Sequence, residues 1–195
     1  IVLVASHMKI LLIGADGQLG TDIAAVFQQG CDLIPLTIKD IDITDFLATR
    51  AVVEKHQPDV VINTAAYHNV PACEKTPETA FLINAMAVRY LAQACRGSDA
   101  RLVHFSTDYV FDGQKKQPYL EDDTPHPLNA YAISKLAGEY FTALVPKHYI
   151  IRVSGLFGLA GCMGKGVTNF VESILKLASE KPLTQVTSNI ISSPT

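Results

Sequence analysis

Lys9-Ile10-Leu11-Leu12-Ile13 runs straight into Gly14-Ala15-Asp16-Gly17-Gln18-Leu19-Gly20, and Leu19, Ile23, Val26 and Phe27 then recur at helical spacing. An apolar strand, G-x-x-G-x-x-G and an amphipathic helix, in that order, let the backbone approach a pyrophosphate and hold its charge at a helix N-terminus. The stretch predicts a strand over 9–13 and a helix over 19–28. A glycine turn alone says little. Its place at the head of an alternating array gives it weight.

The rest of the chain repeats that alternation. Short β-branched or Leu-rich runs at 33–36, 60–63, 101–106, 149–153 and 183–186 predict strands. Segments with apolar positions three and four apart predict helices over 44–56, opened by Thr44-Asp45, and over 78–96, 131–144 and 167–179. Strands this apolar, joined by helices, belong in a parallel sheet covered on both faces, and right-handed crossovers make it a doubly wound α/β fold. The longest irregular stretch is 112–129, with Gly113, Pro118, Pro125 and Pro127 among charged residues. A loop of that length reads as a lid or substrate wall, the other reading being a surface excursion.

Composition bounds the function. With 48% apolar and 18% charged residues in 195, the chain can bury a packed core and is not a disordered tail protein. Its 16 basic and 19 acidic residues give a net charge of −3 with no basic run, which argues against nucleic acid as a partner. Cys31, Cys73, Cys95 and Cys162 lie far apart and form no metal or disulfide spacing, so no metal is expected and reduced thiols in a cytoplasmic protein are the simplest reading. No apolar run reaches the roughly 18 residues that crossing a bilayer takes, so no membrane partner is expected. Residues 1–7 read as a vector-derived extension, with Met8 the native start.

Several clusters carry chemistry. The 2′-OH reader of a dinucleotide site sits near the end of the second strand, where this chain has Leu36-Thr37-Ile38-Lys39. Without a carboxylate in that run, and with Lys39 close, a 2′-phosphate is admissible; a merely solvated Lys39 is the equal alternative. Asp42, followed by Ile43, either accepts from an adenine amino group or helps cap the next helix. The third strand ends in Asn63-Thr64-Ala65-Ala66, small residues that leave room at a sheet edge. The strongest constellation is Tyr131 and Lys135, spaced i, i+4 on one helix face, with Ser106-Thr107-Asp108-Tyr109 closing the fourth strand. An ammonium beside a phenol favours phenolate and draws it from about 10 toward the working range, so Tyr131 can exchange a proton with a carbonyl oxygen to which Thr107 donates.

Gly14–Gly20, Asn63–Ala66, Ser106-Thr107-Asp108-Tyr109-Val110-Phe111-Asp112-Gly113 and Tyr131–Lys135 followed by Leu136-Ala137-Gly138-Glu139 together resemble the extended short-chain dehydrogenase/reductase family, and within it the dTDP-4-dehydrorhamnose reductase branch. The likeness runs from Met8 to Thr195, with late matches at Ile151-Arg152, Asn169-Phe170-Val171 and Ser193-Pro194-Thr195. It implies a Rossmann-like domain over 8–158 and the start of a substrate-binding portion over 159–195, apparently truncated. It further implies reduction of the 4-keto group of a dTDP-4-dehydro-6-deoxy sugar with NADPH, or NADH in its place, for cell-surface polysaccharide synthesis. A nucleotide-sugar substrate is the expected partner, and a homodimer stays open. Thr107, Tyr131 and Lys135 form the implied catalytic set. Gly14, Asp16, Gly17, Gln18, Leu19, Gly20, Thr37, Lys39, Asp42, Ile43, Ala65, Ala66 and Tyr67, with Tyr131 and Lys135, form the implied cofactor set. Val70, Thr107, Asp108, Tyr109, Ser154 and Asn169 form the implied substrate set.

This chain departs from the family pattern at Tyr67, at Val70-Pro71, where a Val-Asp pair is usual, and at Gly155, where a Trp is usual. The departures bear on the sugar and not on the Tyr/Lys chemistry. Two alternatives stay open: an epimerase of the same family, and a non-catalytic regulatory subunit like that of methionine adenosyltransferase. A dehydratase is disfavoured because Asp108 precedes Tyr109 rather than Glu. His68 is a weak substrate-contact candidate, and Gly164-Lys165-Gly166 either meets a substrate phosphate or is a plain surface turn.

Overall fold

The computed structural model describes residues 8–158 and 170–180. Five parallel strands, β1 (Lys9–Ile13), β2 (Asp32–Leu36), β3 (Val60–Asn63), β4 (Arg101–Thr107) and β5 (His148–Val153), lie in the order β2-β1-β3-β4-β5. The helices are α1 (Gln18–Phe27), α2 (Phe46–His56), α3 (Val70–Lys75), α4 (Pro77–Phe81), α5 (Ala87–Ser98), α6 (Ala130–Thr142) and α7 (Phe170–Glu180). The chain leaves β1 toward one edge to make β2 and then returns past β1 to build β3, β4 and β5. That reversal puts a topological switch point between β1 and β3, the place where open α/β sheets bind ligands.

Alternation along the strands sorts the core. Leu11 and Ile13 join Val61, Leu102, Val53, Leu91 and Cys95 on the face covered by α2 and α5, while Ile10, Leu12, Val60 and Ile62 pack with Ile23 and Phe27 of α1 on the other. Observed strands agree with the expected ones to within a residue at each end. The strand expected over 183–186, like the start of the helix expected at 167, lies outside the described residues.

Two elements differ from the sequence reading. The helix expected over 78–96 is α4 and α5 joined by a π turn, Leu82–Met86. The six-residue α3, opened by the Asn69 side chain accepting from Ala72 N, is an addition to the expected elements. It is too short for periodicity to betray, and Pro71 in its first turn reads in sequence as a break.

Candidate active site

At the switch point the glycine turn is held from both sides. Gly14 N and Ala15 N donate to the Leu36 carbonyl of β2, and Thr64, just past β3, donates through N to Ile13 O and through Oγ1 to Ile13 O and Gly14 O at 2.8 and 3.0 Å. Gly14 has φ 79, and a Cβ there would stand 2.8 Å from Thr64 Oγ1 and 2.9 Å from Ala65 N. A Cβ on Gly20 would stand 2.1 Å from Gly14 O, so α1 lies against the turn only because that side chain is missing. Gly17 caps α1 with no side-chain acceptor, and the helix has no acidic residue in its first turn. Its N-terminal N–H groups are therefore left for an anion. These features fit a dinucleotide diphosphate.

Around that turn the expected cofactor residues gather at the carboxyl edge of β1, β2 and β3. Asp16 and Leu19 are half-buried beside the glycines, and Gln18 Nε2 donates to Leu156 O, tying α1 to the segment after β5. Ala65 and Ala66 follow β3, both half-buried, and Tyr67 is held by its backbone: N donates to Asn84 Oδ1 at 2.8 Å and O accepts from Asn84 Nδ2 at 2.9 Å.

A carboxylate follows the Leu36-Thr37-Ile38-Lys39 run at Asp40, in the turn after β2. Asp40 Oδ2 accepts from Thr37 N and from Thr37 Oγ1, both at 2.8 Å, and those bonds hold its carboxyl below the usual range. The anion is turned onto the turn's own backbone while Lys39 stays exposed. Asp42 Oδ1 accepts from Thr44 N and Oγ1, which favours its local structural reading; the cap of α2 is Asp45, accepting from Leu47 N and Ala48 N. Ile43 is core.

At the end of β4 the site is made of side chains. Thr107 is 5% exposed; its Oγ1 faces Asp108 Oδ1 at 3.2 Å and accepts from Tyr109 N. The Tyr109 ring meets Tyr131 edge-on, centroids 5.9 Å apart. Tyr131 stands at the start of α6, where Asn129 accepts from Ala132 N and Glu74, sent across from α3, accepts from Ala130 N. So α3 fixes the end of α6 that carries the phenol.

Burial pushes the Tyr131 phenol up to about 12, against a downward pull from the Thr107 hydroxyl and with a further push from Asp108. Lys135 does not offset this. Its Nζ turns inward, donating to Phe105 O at 2.5 Å and lying 3.5 Å from His104 Nε2, and burial brings it down to about 8 while Glu139 pulls it up. In this arrangement burial, not the lysine, is the largest influence on the phenol.

Val70 begins α3 and Ser154 follows β5, both half-buried, while Asn169 lies outside the described residues, as do Gly164-Lys165-Gly166. The 112–129 segment leans on Arg152 of β5, whose Nε and Nη2 pair with Glu139 of α6 at 3.0 and 2.7 Å, whose guanidinium covers the Phe111 ring and whose Nη1 donates to Glu121 O. Asp112 gathers that loop, accepting from Gln114 N and from Tyr119 Oη and meeting His126 Nδ1 at 2.9 Å. The loop is thus held by side-chain bonds of its own and by Arg152. Sequence reasoning missed Thr64, Asn84, Asn129 and His104 as builders of the site. A buried polar residue inside an apolar run was the available signal for Asn84 and His104.

A family model, the RmlD substrate binding domain, matches residues 8–195. The chain belongs to that family. A spore coat polysaccharide biosynthesis protein, SpsK, of Bacillus subtilis is 42% identical over 189 residues, 96% of this chain and 65% of that protein. The dTDP-4-dehydrorhamnose reductase of Salmonella typhimurium is 38% identical over 96% of this chain and 62% of its own length. Among solved structures, dTDP-4-dehydrorhamnose reductase of Bacillus anthracis in complex with NADP superposes with a TM-score of 0.83 at 36% identity, covering 89% of this chain and 61% of that one. This member of the family therefore spans less than two thirds of each of these relatives. Among its described residues no helix is long and apolar enough to cross a membrane, and no group of His, Cys, Asp and Glu could hold a metal ion.

Proposed function

We propose that this chain is the cofactor-binding and catalytic portion of an NADPH-dependent reductase that turns the 4-keto group of dTDP-4-dehydro-L-rhamnose into the hydroxyl of dTDP-L-rhamnose. The observation that carries the reading is the half-buried Tyr131, edge-on to Tyr109 and beside the Thr107 hydroxyl, at the carboxyl edge of a sheet whose switch point is shaped for a diphosphate. The likeness to named reductases, one of them solved with NADP, supports both the reaction and the cofactor.

Gly14, Gly17 and the N-terminus of α1 would hold the diphosphate, with Ala65, Ala66 and the Thr37–Lys39 turn along the dinucleotide; Lys135 would reach the nicotinamide ribose only by turning its amine out from Phe105 O. A bound reduced nicotinamide supplies a hydride to the keto carbon. As negative charge develops on the keto oxygen, Thr107 donates a hydrogen bond to it and the Tyr131 hydroxyl gives it a proton. A phenol that burial keeps protonated is in the form that reduction needs. Asp108, Tyr109 and Ser154 lie on the sugar side, and Val70 stands at the far wall on α3; Asn169 and the 159–195 segment are proposed to extend that side.

The test is loss of NADPH absorbance on adding dTDP-4-dehydro-L-rhamnose. Tyr131→Phe should lower turnover by roughly 10²–10⁴-fold with NADPH binding nearly intact, because only the proton donor is removed. Most of the turnover surviving in Tyr131→Phe overturns the assignment of the acid. NADPH binding without oxidation by the wild type overturns the substrate.

A further inference from the structure

His104 is fully buried on β4, and no step above uses it. Where its proton sits is fixed by bonds that begin at the backbone. Ala65 N donates to Asn63 Oδ1 at 3.1 Å, which leaves Asn63 Nδ2, a donor only, 3.2 Å from His104 Nδ1. Nδ1 therefore accepts, and a neutral imidazole whose Nδ1 accepts carries its hydrogen on Nε2. Nε2 is the nitrogen 3.5 Å from Lys135 Nζ. Space around the pair is tight: a Cβ on Gly138 would stand 3.3 Å from His104 Nε2 and 2.4 Å from the Asn84 carbonyl.

The geometry points to His104 as a positioning residue for Lys135: Asn63 locks the ring with Nε2–H toward Nζ, so the end of β3 is linked through one imidazole to the lysine. The inference rests on the reading of Lys135 as part of a reductase site. An N–H can donate to an amine and not to an ammonium, so the locked ring favours the deprotonated lysine. Burial acts the same way on Lys135, and burial is the main cause that keeps His104 neutral. Glu139 on α6 pulls the lysine toward the ammonium, although Arg152 of β5 pairs with that carboxylate. Asn63 of β3 faces the ring through its uncharged side-chain amide, and the Asn84 backbone carbonyl of the π turn lies against Gly138 beside it. Tyr131 of α6 also titrates in the site, with Asp108, Cys73 and Tyr109 acting on it.

Nitrogen NMR of the wild-type chain with labelled histidine reads the tautomer directly. A pyridine-type Nδ1 and a pyrrole-type Nε2, constant from about pH 5.5 to about pH 9, are expected for His104. The opposite tautomer, or a ring that titrates in that range, overturns the inference. The second arm uses His104→Gln, whose side-chain carbonyl can accept from an ammonium. With lysine labelled at Cε and Nζ, the Lys135 midpoint should rise by about one pH unit or more, and the pH profile of kcat/KM should move by the same amount. A folded His104→Gln with an unmoved midpoint overturns the inference, and if that variant does not fold the wild-type tautomer still decides. Wild-type protein that shows the expected tautomer and yet oxidises no NADPH counts against the reductase reading alone, so the two failures are distinguishable.

Discussion

The carboxyl edge of the sheet is built in two ways. Over β1, β2 and β3 it consists of backbone: glycines without side chains, alanines, and N–H groups left open at the start of α1. Over β4 and α6 it consists of side chains that are buried and polar, Thr107, His104, Ser134, Lys135 and Glu139. The first half can grip any diphosphate, because its recognition lies in main-chain dipoles, and it is intolerant of added volume. The second half fills its space with groups whose chemistry matters, and it is intolerant of a lost partner. One consequence is electrostatic: in the side-chain half, shared burial moves Tyr131 up and Lys135 down.

Volume breaks the first half. Gly20→Ala should destabilise by about 1–3 kcal/mol and weaken NADPH binding, since its Cβ would meet backbone atoms of Gly14 and Ala15 that cannot swing aside. Denaturant melts and a binding titration check both effects, and a neutral result would show that α1 can slide.

Loss of a partner breaks the second half. Asn84→Ala would leave Tyr67 N and O and the Ser134 hydroxyl short of a bond, a loss of about 1–3 kcal/mol. Its effect on NADPH affinity, felt only through Tyr67, should be smaller than that of Gly20→Ala, and equal losses of affinity in the two variants would erase the distinction between the halves.

A glycine outside both halves is the control. Gly97 lies in α5 with nothing within 4 Å of its would-be Cβ, so Gly97→Ala should stabilise by up to about 1 kcal/mol in the same melts.

The smallest effect is expected in the wall at 112–129. Bonds from Gln114 N, His126 and Tyr119 hold the Asp112 carboxyl down to about 2. A carboxylate lowered on folding adds stability that is fully present above its unfolded value, near about 3.9, and is lost as pH falls toward the folded one. Thermal melts of wild type and Asp112→Asn should therefore differ at pH 6 to 7 and converge on acidification through roughly pH 4 to 2. A difference that persists at the acid end would mean Asp112 acts by packing rather than charge.

Legibility followed the same division. The strand-turn-helix at 9–28 could be read because three glycines at fixed offsets are a local, backbone-imposed requirement. Lys135 could be placed on the face of Tyr131 from spacing alone, but its amine goes to Phe105 O and His104, partners some thirty residues away in sequence. The π turn at Leu82–Met86 was invisible because an apolar period survives one widened turn, while Asn84 within it becomes a buried clamp on Tyr67. The wall was legible as irregular from its prolines, and its hub at Asp112 was not.

By itself the sequence determined a parallel α/β sheet, a phosphate-shaped turn and a tyrosine-lysine pair on one helix, because strand period, glycine conformation and i, i+4 spacing are local rules. Only the tertiary structure decided that burial pushes the phenol up, that Lys135 faces inward and that Asp40 closes the turn after β2. Those outcomes depend on burial and on which distant dipole lies within about 3 Å, and no local pattern encodes either.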